Sequence, residues 1–130
     1  MTSSANQLQA EELELQVQQA LSLAEQGDLM ASEALYHQVL QQNPGNPKAI
    51  YGLAQLAGAI DYHDVKDVLL GLAIDQLTEQ SGSAQKSLAV AWLTERAEVL
   101  FKLNRPTDAM DCIKRCESLI GENLDASEEF

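Results

Sequence analysis

Three turn-forming residues at fixed offsets constrain this chain more than any bulk property: Gly27, Asp61 thirty-four residues later, and Asn104 forty-three beyond that. The same two shifts carry Ala20 onto Ala54 and Ala97, and Leu23 onto Ala57 and Leu100. They also carry Tyr36 onto Leu70 and Ile113, and Val39 onto Ala73 and Cys116. Small residues superpose on small and apolar on apolar. The chain therefore reads as three copies of one unit, over residues 13–46, 47–80 and 90–123, with 81–89 as an insertion. The clearest half-unit is GDLMASEALYHQVLQQNPGN, Gly27 to Asn46. Its turn is Gly27-Asp28, its helical face carries Leu29, Ser32, Tyr36, Val39 and Leu40, and Asn43-Pro44-Gly45-Asn46 stops it. A repeated helix–turn–helix cannot bury its apolar face alone, so successive copies are expected to stack into one all-α domain.

The expected helices span 6–26, 29–42, 47–59, 62–79, 84–103 and 106–120. Pro47 and Pro106 suit first-turn positions, where a missing N–H costs nothing. Asp61 and Asn104 suit the turns between paired helices. The inserted residues Ala84 to Val90 have helix-forming composition and are expected to lengthen the fifth helix, with Ser81-Gly82-Ser83 as a break before it. Residues 1–12 form an extension or the start of the first helix. Residues 124–130 are acidic and poor in apolar groups, and are expected to be disordered. Ala20, Ala54 and Ala97 are expected where paired helices cross, because close approach needs a small side chain.

Leu53-Ala54, Ala109-x3-Ile113 and Ser32-x3-Tyr36 with Pro44 resemble the tetratricopeptide repeat, whose unit runs W-x2-L-G-x2-Y, a turn, A-x3-F and a late Pro. The resemblance covers units 13–46, 47–80 and 90–123. It departs from the pattern in lacking the first-helix Trp, in Lys66 where a small Ala stands, and in Gln19 and Arg96 in place of Leu. The resemblance implies a right-handed superhelical α-solenoid of about six helices whose first helices line a concave binding groove. The groove positions it implies are Val17 and Leu21 in the first unit and Lys48, Tyr51 and Gln55 in the second. The third unit supplies Thr94, Glu95, Glu98, Phe101 and Lys102. Such a mixture of apolar anchors and polar rim suits an extended or helical peptide of a partner protein, in an adaptor or chaperone role. Tyr51 is the preferred hot spot, being aromatic with a polar tip; the alternative for Tyr51 and Phe101 is packing inside the fold. One type of family member grips C-terminal carboxylates with Lys, Asn and Arg at positions that here are Val17, Leu21, Gly52, Ala91 and Glu95. None of these binds a carboxylate, so that kind of adaptor is not expected. In size and charge the chain is similar to small acidic bacterial members, among them three-repeat secretion chaperones.

The net charge of −12 narrows the partners. No Lys or Arg precedes Lys48, whereas Glu11, Glu12, Glu14, Glu25, Asp28 and Glu33 do. Such a surface repels phosphate backbones and anionic lipid, so neither nucleic acid nor a membrane is expected as a partner. It steers basic or mixed-charge protein segments inward. The start MTSSANQLQA has neither a basic leader nor an apolar stretch, and the two cysteines accompany no secretion signal, so reduced thiols and a cytoplasmic location are expected.

Catalytic signatures are wanting. The sequence has no G-x-S-x-G, phosphate loop or H-E-x-x-H. His37 and His63 have no carboxylate pair or Cys at ligand spacing, and Cys112 and Cys116 supply only half of a structural zinc set. No enzyme activity, metal or cofactor is expected. A second expectation concerns the end of the array. Only an acidic segment follows Ile120, so Ile113, Leu119 and Ile120 are candidates for a face that a second copy covers, giving a homodimer.

Overall fold

A computed structural model describes the backbone of residues 2–79 and 83–128 and the side chains of residues 7–79 and 85–121. The described residues form six helices: α1 (Thr2–Glu25), α2 (Leu29–Gln42), α3 (Pro47–Ala59), α4 (His63–Thr78), α5 (Ser83–Lys102) and α6 (Pro106–Glu128). Among the described residues there is no strand. Each helix packs on its neighbours in sequence, and α1 also reaches α3.

The three turns found by the repeat shifts are one structure made three times. Gly27, Asp61 and Asn104 all have positive φ, at 90°, 64° and 63°. Behind each, two backbone bonds close the preceding helix in the same pattern. Gly27 and Asp28 N–H donate to Ala24 and Leu23 carbonyls, Asp61 and Tyr62 to Gly58 and Ala57, and Asn104 and Arg105 to Phe101 and Leu100. This left-handed cap satisfies carbonyls that a helix end would otherwise leave bare. Gly, Asp and Asn are the residues that reach this region at low cost. The following helices start on local signals as well. Asp28 Oδ1 accepts from Ala31 N–H at 3.2 Å to cap α2, and Asn46 Oδ1 accepts from Ala49 N–H at 3.1 Å to cap α3, ahead of Pro47.

Helix bounds follow the sequence expectation except at the two ends. α1 begins at Thr2 rather than near residue 6, and α5 begins at Ser83, so the insertion does lengthen it; residues 81–82 of that insertion, with residue 80 before it, lie outside the described residues. α6 does not stop near Ile120. Its backbone continues to Glu128 where a disordered stretch over 124–130 was expected, and residues 129–130 lie outside the described ones. Gly121 lies within the continued helix. A helical glycine costs only about 1 kcal/mol, and neither Pro nor a left-handed cap follows it.

The core forms in two main parts. Leu13, Val17, Ala20, Tyr36, Val39, Ala49 and Leu56 join α1, α2 and α3. Ile50, Ile74, Leu77, Trp92, Leu93, Leu100, Cys112 and Cys116, with intervening alanines, join α3 to α6. The alanines expected at the crossings are all buried, Ala20 and Ala54 completely. At the first crossing the buried Ser32 hydroxyl donates to the Ala20 carbonyl at 2.6 Å, which ties α2 to α1. At the second, Ala54 meets Leu70 and Val99 in a small cluster edged by the half-buried Tyr51, Leu69 and Leu103. Ala54→Leu should overpack that crossing. Its edge can yield, so the expected cost is about 1–2 kcal/mol, in the lower part of the usual range. An unchanged thermal unfolding midpoint would contradict this pairing of α3 with α4. Both cysteines are free and buried, and burial pushes the Cys112 thiol above its ordinary pKa.

Candidate binding groove

Helix α3 presents its residues to two sides. On one side a cavity of about 230 Å³ opens between α1, α3 and α5. Val17, Gln18 and Leu21 come from α1, Lys48, Tyr51, Gly52 and Gln55 from α3, and Leu88 and Trp92 from α5, with Tyr36 of α2 behind. A second cavity of about 350 Å³, lined by Glu14, Asn46, Lys48, Gln85 and Leu88 among others, adjoins it and shares Lys48 and Leu88. Five residues assigned to the groove from sequence, Val17, Leu21, Lys48, Tyr51 and Gln55, thus converge on one mainly apolar hollow. Their exposures differ. Val17 is also part of the buried core, whereas Leu21 remains 45% exposed.

Tyr51 is placed by two contacts. Its ring stacks on Trp92 with centroids 4.5 Å apart and planes 6° apart. Its hydroxyl donates to Glu95 Oε1 at 2.8 Å. Burial, reinforced by that bond to a carboxylate, pushes its phenol well above the ordinary value, so the hydroxyl remains a donor at neutral pH. Tyr51 therefore belongs partly to the interior, and its accessible part forms a wall of the cavity. Gly52 permits close packing beside it, because the Tyr36 ring of α2 lies where a Cβ on Gly52 would stand.

Glu95 is a hub rather than a free rim charge. It accepts from Tyr51, from Gln55 Nε2, and from Lys66 Nζ at 3.4 Å. Lys66 reaches it by passing over Gly58, where a Cβ would come within 2.8 Å of the lysine stem. A mirror arrangement sits one residue along. Arg96 Nε donates to Asp67 Oδ1 at 2.8 Å across Gly71, and Arg105 Nη1 donates to Asp67 Oδ2 at 3.2 Å. Lys66 and Arg96, the two charged departures from the repeat pattern, thus each cross a glycine to meet an acid on the facing helix.

The third unit supplies less of the groove than the sequence implied. Thr94 turns toward α6: its hydroxyl donates to the Val90 carbonyl at 2.8 Å and lies 3.8 Å from Cys116 Sγ. Glu98, Phe101 and Lys102 are exposed but line neither cavity. α5 reaches the hollow instead through Leu88 and Trp92. The longer first helix of the third unit presents an earlier stretch than an uninterrupted repeat would. Trp92 is a cavity-lining residue that sequence reasoning missed, and its one available signal was that it is the chain's single Trp, one turn before Glu95. Lys48 is half exposed and bridges to Glu14 Oε1 on α1 at 3.1 Å. Such a surface pair contributes only about 0–1 kcal/mol, so a ligand can displace it.

The candidate oligomer face is divided. Ile113 and Leu119 pack half-buried against the core of α3 to α6, and Ile120 alone stays exposed, at 44%. Among the described residues no three His, Cys, Asp or Glu side chains are grouped to hold a metal, and no helix is long and apolar enough to cross a membrane.

No known protein-family model matches the chain, and no curated protein matches it.

Proposed function

We infer that this chain is a tetratricopeptide-like superhelical solenoid that binds a segment of another protein along α1, α3 and α5. One apolar side chain of that segment enters the hollow between Leu21, Tyr51 and Trp92, and its backbone continues past Lys48 and Leu88. The observation that carries this reading is the convergence of residues from three first-of-pair helices on a mainly apolar hollow with a few polar groups, Gln18, Lys48 and Gln55, at its mouth. The triplicated left-handed turn supports the repeat architecture, since the same turn inside each helix pair is what repeated units share. The role is that of an adaptor or chaperone rather than a catalyst.

Leu21→Asp tests the groove. Leu21 lines the hollow yet is nearly half exposed, so a charge there should leave helicity and melting unchanged while making the hollow polar. In affinity capture from native lysate, proteins retained by the wild type should be lost from this variant. Tyr51→Ala should lose them too, with some loss of stability from the broken stack, worth about 0.5–1.5 kcal/mol. Retention of the same proteins by a folded Leu21→Asp chain would end the groove reading.

A further inference from the structure

The other side of α3 carries a larger cleft that the groove does not use. It holds about 430 Å³ between the first turns of α2 and of α4, with Leu53, Leu56 and Ala57 of α3 and Ile60 just after it as its floor. Leu29, Glu33 and His37 form the α2 wall; Tyr62, Val65 and Leu69 form the α4 wall. The apolar surface continues outward. Ile60 is 52% exposed, Tyr62 61% and Val65 47%, and Val68 and Leu72 extend the stripe along α4 at 59% and 49%. A continuous apolar strip on a cleft is a mark of an interaction site. Its two rows, spaced i, i+4, i+8 on α2 and i, i+3, i+7 on α4, leave a channel shaped for one more helix.

Charge decides what that helix is. The fully charged groups around the cleft are acidic: Glu33 in its wall, Asp28 at the turn before α2, and Asp61 and Asp64 on either side of Tyr62 and His63. His37 is paired with Glu33 at 3.5 Å. Neither wall nor floor contains Lys or Arg, and nearby Lys66 is turned to Glu95 on the opposite side of α3. A second copy presenting this same face would set acid against acid. So would the chain's own end, which carries Glu122, Asp125, Glu128 and Glu129. We propose that the α2–α4 cleft docks a basic amphipathic helix of a partner protein, its apolar stripe against Leu53, Ile60, Val65 and Leu69 and its Lys or Arg flanks against Glu33, Asp61 and Asp64. This second site is independent of the groove and lies across α3 from it, so one chain can hold two segments at once.

The test uses a fluorescently labelled leucine–lysine amphipathic helix and a leucine–glutamate peptide with the same leucine positions. Anisotropy should show saturable one-to-one binding of the lysine peptide to the wild-type chain, weakening with salt. The glutamate peptide should bind at least about tenfold more weakly, as should the lysine peptide to Val65→Lys and Glu33→Lys. Glu33 is exposed, so the second variant keeps its fold even where the first does not. Leu21→Asp should bind like the wild type, which separates this site from the groove. Equal binding of the two peptides, no loss in either cleft variant, or loss in Leu21→Asp alone would overturn the proposal. A wild-type dimer in light scattering that Val65→Lys converts to monomer would also overturn it, with a second copy as the occupant.

Discussion

Gly52→Ala should lower stability by about 2 kcal/mol, although it replaces a helix-weakening glycine by the best helix former. The new methyl would fall within the Tyr36 ring, which is 3% exposed and held by the first core cluster. A buried ring cannot swing aside like the tip of a lysine, so α2 and α3 must separate. Overpacking of this kind costs up to about 3 kcal/mol, against about 1 kcal/mol gained in helix propensity. For a chain of this length the net effect corresponds to a fall in melting temperature of about 6–10 °C. Gly121→Ala is the control: a Cβ there meets nothing within 4 Å, and only the propensity gain should appear. If Gly52→Ala melts at or above the wild-type temperature, the packing of Tyr36 on α3 is misplaced.

Asp67→Ala should cost about 2–3 kcal/mol. Its carboxylate is 5% exposed and takes a guanidinium on each oxygen, Arg96 from α5 and Arg105 from the turn before α6. Removal leaves two cations facing one another with no shared acceptor. A wholly buried broken pair costs about 3–5 kcal/mol, but Arg105 is half exposed and can turn to water and Asp108, which moderates the loss. Combining Asp67→Ala with Arg96→Leu should recover part of the loss. Leu is the residue at the equivalent place in the second unit, Leu53, and removing both members of a pair costs less than stranding one. Chemical denaturation of the two single variants and the double variant measures this coupling. Strict additivity would show that Asp67 and Arg96 do not act as a pair.

Lys66 and Arg96 show why part of the interior was illegible in the sequence. Each stood out as a departure from the repeat, at positions where Ala and Leu are usual. The sequence held the means of accommodating them, Gly58 and Gly71, but no local signal joined those glycines to residues eight and twenty-five positions away. The groove divides similarly. Val17, Leu21, Lys48, Tyr51 and Gln55 meet because α1 and α3 follow uninterrupted units, for which the repeat spacing gives the facing side correctly. Thr94, Glu98, Phe101 and Lys102 do not join them, because α5 carries the insertion and rests on α4 through Arg96–Asp67 and Lys66–Glu95. Those pairs, and the Trp92 ring under Tyr51, set its rotation. The cleft between α2 and α4 was legible only as scattered apolar residues, since its floor comes from a helix between the two walls in sequence.

By itself the sequence determined the helices and their turns. Left-handed Gly27, Asp61 and Asn104, the caps at Asp28 and Asn46, and Pro47 and Pro106 act through bonds spanning no more than five residues, so nearby side chains suffice to specify them. Tertiary structure alone decided which faces meet. The rotation of one helix against another is fixed by the sum of contacts with every neighbour, and a buried Asp67 or Trp92 can turn a helix away from the side its spacing implies. That is why the repeat spacing finds the lining of the hollow on α1 and α3, while α5's contribution and the acidic cleft behind α3 emerge only once the helices are packed.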